Sequence, residues 1–366
     1  MNKGLRIFTL GAGAMGSLVT HEISNSFAST QLVLLLRNQR RVEQFLKDGS
    51  EITIVRSQDG NILKSTTKHD VILRPPRNRD DEPEIIENLI LATKTYQTEN
   101  ALEKYVSNLD KTSNILIVQN GMGMSESLIE RFWPTKANRP NFYQAVSTHG
   151  AYKTSLNTIN HVGLGKLKIS AFPGNNDESL LSEYKDDNSE KFKFPLLIRD
   201  ILDIDVLNVE FLPYETFLLH QMEKLVANAC INPLTALLDC LNGDLLSGSK
   251  VISIMKRVII EATDVFKAEF KILETIPISN VFLNRERLLN SVFEVCKLTS
   301  QNSSSMREDI KHLNQTEIDW INGYIVALGN KHHIPTPTNK FITSMIKNKL
   351  SIDREIDKTS ADVYVK

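Results

Sequence analysis

Cysteine, net charge and long apolar runs are the scarce quantities in this chain of 366 residues. Its three cysteines, Cys230, Cys240 and Cys296, are an odd number with no CxxC spacing. That excludes a disulfide framework and a cysteine-type zinc site, and it points to a reducing compartment. Lys and Arg total 43 against 44 Asp and Glu, a net charge of −1. The balance leaves no electrostatic footprint for nucleic acid or an anionic membrane surface. Apolar runs such as Leu32–Leu36 stop far short of the roughly 20 residues a membrane helix needs. The eight histidines are scattered, and His332-His333 has no further ligand in sequence reach, so no metal site is expected. Met1-Asn2-Lys3-Gly4 leads straight into a strand-like segment without signal peptide or Arg/Ser-rich presequence. The expectation is a cytoplasmic protein.

What is present is an ordinary globular composition, 41% hydrophobic and 24% charged. At about 150 residues per domain the length predicts two domains. The first half alternates apolar runs with helical stretches. Strands are expected at Leu5–Leu10, Gln31–Leu36, Ile52–Val55, Val71–Leu73, Ile85–Ala92, Asn114–Val118 and Phe142–Ser147. Helices are expected at 14–27, 98–109 and 125–132. Apolar strands alternating with helices imply a parallel sheet covered on both faces, a doubly wound α/β domain. Two polar insertions interrupt it. Arg74–Pro83 reads as an exposed loop, and 173–193 as a surface excursion rich in Asn, Asp, Glu, Ser and Lys. From about residue 210 strand signals nearly vanish and apolar periodicity is helical over 214–231, 248–270, 285–298, 306–312, 316–329 and 338–348. The division expected is 1–210, dinucleotide-binding, and 211–366, helical and substrate-binding. The charged tail 350–366 is expected to fray.

The sharpest local signal follows the first strand. Gly11-Ala12-Gly13-Ala14-Met15-Gly16 is a GxGxxG between a strand and a helix. Gly11 permits the tight turn, Gly13 lets a pyrophosphate approach the backbone, and Gly16 lets helix and strand pack closely. The helix N-terminus receives the negative charge. At the end of the second strand an NAD site usually places an acid; here Leu36 is followed by Arg37-Asn38-Gln39-Arg40-Arg41. A guanidinium at Arg37 can grip a 2′-phosphate with paired hydrogen bonds, so NADPH is favoured over NADH. Lys94, in Ala92-Thr93-Lys94-Thr95, and Asn120, in Gln119-Asn120-Gly121, end two further strands on the side where such sheets bind ligands. A surface lysine and a plain Asn-Gly turn are the alternative readings.

In the second half, Lys224, Asn228 and Asn232 stand at i, i+4 and i+8 on one helix, forming a single polar stripe among Leu225, Val226, Ala229 and Ile231. A solvated face is the alternative. Pro233 is expected to kink or end this helix. In Asn302-Ser303-Ser304-Ser305-Met306-Arg307-Glu308, Ser305 with Glu308 makes a capping-box pattern, and free amides and a hydroxyl at a helix start would also bind a carboxylate. Glu317 is expected in the first turn of a helix, where the dipole favours an ionised carboxylate.

Together these segments resemble the ketopantoate reductase (2-dehydropantoate 2-reductase) family. The motifs are GAGAMG at 11–16, LATKTYQ at 91–97, QNGMG at 119–123, THGAYK at 148–153, HVGLGKLKIS at 161–170, KLVANACINPLTALLDCLNG at 224–243, SSSMREDI at 303–310 and TEIDWINGY at 316–324. The resemblance implies an N-terminal Rossmann domain and an all-helical C-terminal domain, with the active site in the cleft between them. It also implies NADPH-dependent reduction of 2-dehydropantoate to pantoate, in pantothenate biosynthesis. On this basis Lys224 corresponds to the general acid. Asn228, Asn232, Asn242, Asn302 and Ser305 match substrate ligands, and Glu317 matches the acid near the nicotinamide and substrate hydroxyl. Gly11, Ala12, Gly13, Ala14, Met15, Gly16, Arg37, Lys94, Asn120 and Ala151 match NADPH-contacting positions. Two other readings stay open: a reductase of another branched 2-oxo acid, and a non-catalytic NADPH-binding sensor. The partner expected is a small 2-oxo acid, with no nucleic acid or membrane, and a homodimer is left open.

Overall fold

A computed structural model describes residues 5–58, 60–174 and 194–364, so the insertion expected at 173–193 lies almost wholly outside the described residues. The chain divides into two units, one of Met1–Gln119 and Met124–Phe217, the other of Asn120–Gly123 and Leu218–Lys366.

The first unit is built on an eight-stranded sheet of order β12-β11-β8-β7-β6-β1-β2-β5. Its strands are β1 (Arg6–Leu10), β2 (Gln31–Leu35), β5 (Asp70–Ile72), β6 (Asn88–Leu91), β7 (Asn114–Val118), β8 (Asn141–Ser147), β11 (Leu167–Ala171) and β12 (Val209–Phe211). Six of them, β5-β2-β1-β6-β7-β8, run parallel. β6 is buried at every position and β1, β2 and β7 at all but the first, as a sheet covered on both faces requires. Helices α1 (Ala14–Ser26), α2 (Gln39–Lys47), α3 (Thr95–Leu102), α4 (Met124–Phe132) and α5 (Leu196–Leu202) complete it. Strand order reverses at β1, so the carboxyl end of β1 is the switch point where such sheets take ligands.

The crossover from β5 to β6 contains no helix, and Arg74–Pro83 is the exposed loop expected, anchored at two points. Asn108 Nδ2 donates to the carbonyls of Pro76 and Glu84, both at 2.8 Å. A second sheet, β4-β3-β10-β9, is formed by β3 (Glu51–Gln58), β4 (Asn61–Lys68), β9 (Gly150–Lys153) and β10 (Thr158–Gly163). Only β3 was apolar enough to read as a strand; β4, NILKSTTK, has no buried position and so carries no apolar run.

A buried polar chain ties this sheet to α1 and to the segment before β12. Glu22 accepts from Arg56 at 2.6 Å, and Arg56 Nε donates to His161 Nδ1 at 3.0 Å. His161 Nε2 lies 3.0 Å from His149 Nδ1, and His149 Nε2 lies 2.9 Å from the Leu207 carbonyl. Since Arg56 can only donate and a carbonyl can only accept, each imidazole must be neutral with its proton on Nε2. Burial pushes the Glu22 carboxyl up, but hydrogen bonds from His21 and Arg56 outweigh it and hold the group below the usual range.

Helix α6 (Tyr214–Leu238) leads into the second unit, followed by α7 (Ser249–Glu269), α8 (Ser279–Phe282), α9 (Arg285–Leu298), α10 (Ser305–Lys311), α11 (Asn322–Lys331) and α12 (Pro337–Tyr364). Among the described residues beyond α6 there is no strand. α6 does not end at Pro233 but runs on for five more residues. A proline inside a helix leaves the carbonyl four residues earlier without its donor, normally costing about 3 kcal/mol. Here that carbonyl is Ala229, and the buried Asn322 amide donates to it at 3.1 Å. The tail does not fray from residue 350, because α12 continues to Tyr364. Its start is closed by buried Glu261, which accepts from the backbone N–H groups of Thr338 (2.8 Å) and Asn339 (2.9 Å) and from the Asn339 amide (2.7 Å).

Candidate active site

In the first unit the glycine-rich turn joins β1 to α1. A Cβ on Gly11 would lie 2.4 Å from the backbone of Ala92 and Thr93, and Gly11 has φ +113°. On Gly16 it would lie 2.1 Å from the Gly11 carbonyl oxygen. Packing alone therefore demands both glycines. Gly13 differs: its φ is −77°, and a Cβ there would meet nothing nearer than the Ala92 oxygen at 3.9 Å. The fold leaves room for a side chain at Gly13, so packing does not demand glycine there, and a ligand approaching the backbone would have space. Gly13 is also the N-cap of α1, with no side-chain cap and no acid in the first turn. The helix start thus presents unclaimed N–H groups, the arrangement an anion needs. Ala12, Ala14 and Met15 pack partly buried against the core, as does Ala151 from β9.

Arg37 is exposed just beyond β2, and Asn38 caps α2 by accepting from the Arg41 N–H at 2.9 Å. Lys94, half-buried, stands at the N-cap of α3 beyond the end of β6. Gln119 fastens this end of the sheet, donating to the Thr93 carbonyl at 2.6 Å and to Thr98 Oγ1 at 2.7 Å. One contact was not anticipated: Lys153, two residues beyond Ala151, donates to the Ala12 carbonyl at 2.8 Å. The last residue of THGAYK was the available signal, a lysine ending a short strand in alternation with Ala151.

In the second unit Lys224 lies on α6 with Asn228 and Asn232, and Leu225, Val226, Ala229 and Ile231 are buried around them. Burial pushes the Lys224 ammonium down to about 8, and the Glu317 carboxylate acts against that fall. Glu317 is itself 5% exposed. It does not sit in the first turn of an α-helix: it precedes a three-residue 3-10 turn, Ile318–Trp320, and gives it no side-chain cap. Its carboxylate instead lies 3.5 Å from the Asn120 amide. Asn120 is brought there by the loop it begins. Gly121 and Gly123, with φ +88° and +91°, pack so tightly that a Cβ would lie 2.5 Å from the Trp320 oxygen or 2.8 Å from the Tyr324 ring. Met122 N–H donates to that same Trp320 oxygen at 3.3 Å.

About 12 Å further along α6, at 1.5 Å per residue, a second group gathers around Asn232. Ser304, not Ser305, is the N-cap of α10, accepting from Arg307 N–H at 3.1 Å. The residue three beyond it is an arginine, so no reciprocal box forms. Thr235 Oγ1 lies 2.7 Å from Ser304 Oγ, docking the start of α10 on α6. The cap thereby leaves the Ser305 hydroxyl exposed and unspent, and Asn302 is exposed beside it. Asn242 is 7% exposed; its amide donates to Thr299 at 2.9 Å while its Oδ1 is buried with no partner. The Asn242 backbone N–H donates to the Asn302 carbonyl at 3.1 Å. The second unit thus assembles Lys224, Glu317 and Asn120 at one level of α6, and Asn232, Asn242, Asn302 and Ser305 at another.

Among the described residues no cluster of three His, Cys, Asp or Glu could hold a metal ion, and no helix is long and apolar enough to cross a membrane. A parallel sheet with a glycine-rich turn at its switch point, joined to a helical unit that gathers a buried lysine and amides, defines a Rossmann-type oxidoreductase with a helical second domain. The chain belongs to the ketopantoate reductase PanE/ApbA family, which matches residues 7–174, its C-terminal part matching 216–350. A Schizosaccharomyces pombe protein described as a probable 2-dehydropantoate 2-reductase is 37% identical over 95% of this chain and 97% of its own length. The Saccharomyces cerevisiae 2-dehydropantoate 2-reductase is 30% identical, over 95% of each. A solved D-mandelate dehydrogenase, in complex with NADH and anilino(oxo)acetate, shares the fold with a TM-score of 0.73 at 22% identity, over 96% of this chain and all of its own.

Proposed function

We propose that this protein reduces 2-dehydropantoate (ketopantoate) to pantoate with NADPH, residues 1–210 holding the dinucleotide and 211–366 the 2-oxo acid. The observation that carries the reading is the Lys224 ammonium, burial-shifted to about 8 beside Glu317, on a helix that also presents Asn228 and Asn232. The uncapped start of α1 and the open approach over Gly13 fit a dinucleotide pyrophosphate, with Arg37, Lys94, Asn120 and Ala151 as further contacts. When bound, the reduced nicotinamide supplies a hydride to the ketone carbon.

As that carbonyl oxygen gains negative charge, Lys224 stabilises it and donates the proton that completes the alcohol. An ammonium with a pKa near 8 remains mostly protonated at pH 7 and is a stronger acid than an ordinary lysine. Glu317 keeps Lys224 charged against the pull of burial, and Asn120 steadies Glu317. Asn228, Asn232, Asn302 and Ser305 offer donors for the substrate carboxylate. Asn242, joined to Asn302 through its backbone N–H, is a further substrate ligand in this reading.

The test is purified protein mixed with NADPH and ketopantoate, following loss of reduced-nicotinamide absorbance, with NADH and a panel of 2-oxo acids alongside. NADPH-dependent turnover of ketopantoate, lost in Lys224→Ala while NADPH still binds, is the expected result. Preferred turnover of a different 2-oxo acid moves the substrate, and no turnover on any of them with NADPH bound overturns the catalytic reading.

A further inference from the structure

Helix α6 carries Lys224, Asn228 and Asn232, yet its hydrogen-bond ladder is broken by Pro233. An alanine there would close the ladder without help. The proline has two effects at once. It removes the N–H that would have claimed the Ala229 carbonyl, and its ring presses that carbonyl away from the ladder. The freed carbonyl belongs to the residue just after Asn228, and the Asn322 amide takes it at 3.1 Å. Asn322 is fully buried, and its amide also donates to Asn339 Oδ1 at 3.0 Å. Asn339 in turn donates to Glu261 at 2.7 Å, so α6, α7, α11 and α12 meet in one buried polar chain.

The Asn322 Oδ1 is buried without a partner. An unmade acceptor costs stability that an apolar side chain of the same size would not, so core filling does not explain an amide here. Its donors do, because they dock the segment that leads into α11. Glu317 stands five residues before Asn322. The short link is closed by the Trp320 N–H on the Glu317 carbonyl at 3.0 Å and by the buried Ile318 and Ile321. On α6 the docking point is five residues beyond Lys224, about 7.5 Å at 1.5 Å per residue. The bond therefore joins the segment that carries Glu317 to the helix that carries Lys224, the residue on which the Glu317 charge acts.

We propose that Pro233 and Asn322 form a positioning pair: the proline frees the Ala229 carbonyl, Asn322 takes it, and the bond holds Glu317 in place beside Lys224. This rests on the acid role proposed for Lys224 above. The experiment follows two pH dependences in the full-length protein. One is kcat on ketopantoate; the other is acetylation of Lys224 by trace acetic anhydride, read by mass spectrometry, which needs no turnover. Asn322→Leu keeps the volume and removes the donors. Its Lys224 midpoint should fall by about one pH unit, since a nearby carboxylate is worth about one to three. With the wild-type group titrating at about 8, kcat at pH 8 should then drop roughly fivefold. Pro233→Ala returns a backbone N–H to the Ala229 carbonyl. Added to Asn322→Leu it should recover the lost Tm but leave the midpoint low, and this double variant carries the test where the single one does not fold. An unshifted midpoint in a folded variant overturns the proposal. A midpoint restored together with the Tm also overturns it, because Asn322 would then only complete the helix. A wild-type protein that turns over no 2-oxo acid, while the labelling midpoint still falls in the variant, overturns the reductase reading and supports the pairing.

Discussion

The helix start at the glycine-rich turn of the first unit contrasts with two helix starts of the second. In the second, α10 is closed by Ser304 and α12 by the buried Glu261, so their first N–H groups are spent within the protein. In the first, α1 begins at Gly13 with neither a side-chain cap nor an acid in its first turn. A helix end left without partners is tolerated only where water or a ligand supplies them. In the proposed function the first unit meets its ligand through backbone, at this helix end. In the proposed function the second unit meets its ligand through the side chains of Lys224, Asn228 and Asn232, which lie along one helix.

Four experiments would break or sharpen that contrast. The largest effect is expected in the side-chain unit: Lys224→Ala should lower kcat about 10²- to 10⁴-fold, the usual contribution of a positioned acid, with the cofactor Kd unchanged by fluorescence titration. An unchanged kcat would remove Lys224 from the chemistry. Next come the glycines of the backbone site. Gly11→Ala forces a Cβ to 2.4 Å from backbone and should cost about 3 kcal/mol or more, read as a lowered Tm. Gly13→Ala should keep the Tm and lose dinucleotide affinity; a Tm loss as large as that of Gly11→Ala would refute the division between packing and ligand glycines.

Third, kcat should be flat below about pH 8 and fall roughly tenfold per unit above it as the Lys224 ammonium deprotonates. The same group works on stability with the opposite sign. Its folded pKa is below the unfolded value, so the folded state binds fewer protons from about pH 8 up to the ordinary lysine range, and stability rises there while activity falls. Activity that climbs through pH 9 would contradict the acid role. The smallest effect separates two neighbouring serines. Ser304→Ala should cost about 1 kcal/mol of stability as a lost cap, whereas Ser305→Ala should leave urea unfolding unchanged and raise KM. Equal stability losses would mean that Ser305 is structural after all.

Legibility in the sequence followed the same line. The large sheet could be read because buried parallel strands are apolar runs, RIFTL, QLVLL and NILIV. β4 could not, since it is stabilised by pairing with β3 and not by burial of its side chains. That α6 continues past Pro233 was not legible, because Asn322, which takes the Ala229 carbonyl, lies 89 positions away and nothing local announces it. Ser304 and Ser305 are chemically identical in sequence, and only the contact with Thr235 decides which one caps. Glu317 was expected on a helix dipole, but its carboxylate lies toward Asn120 and acts on Lys224, partners supplied by two other segments.

Four residues make this protein awkward to divide with scissors. Asn120–Gly123 are encoded between β7 and α4 of the first unit, yet they pack as part of the second. A gene fragment starting at Leu218 would leave the Trp320 oxygen without the Met122 N–H, Glu317 without the Asn120 amide, and the Tyr324 ring without the glycine that covers it. Such a fragment would expose an aromatic surface that its own sequence cannot cover. Modular swaps within the family must therefore carry the QNGMG loop together with the helical half, as a graft inserted into a foreign sheet, because a single crossover point cannot transfer Asn120 together with Glu317.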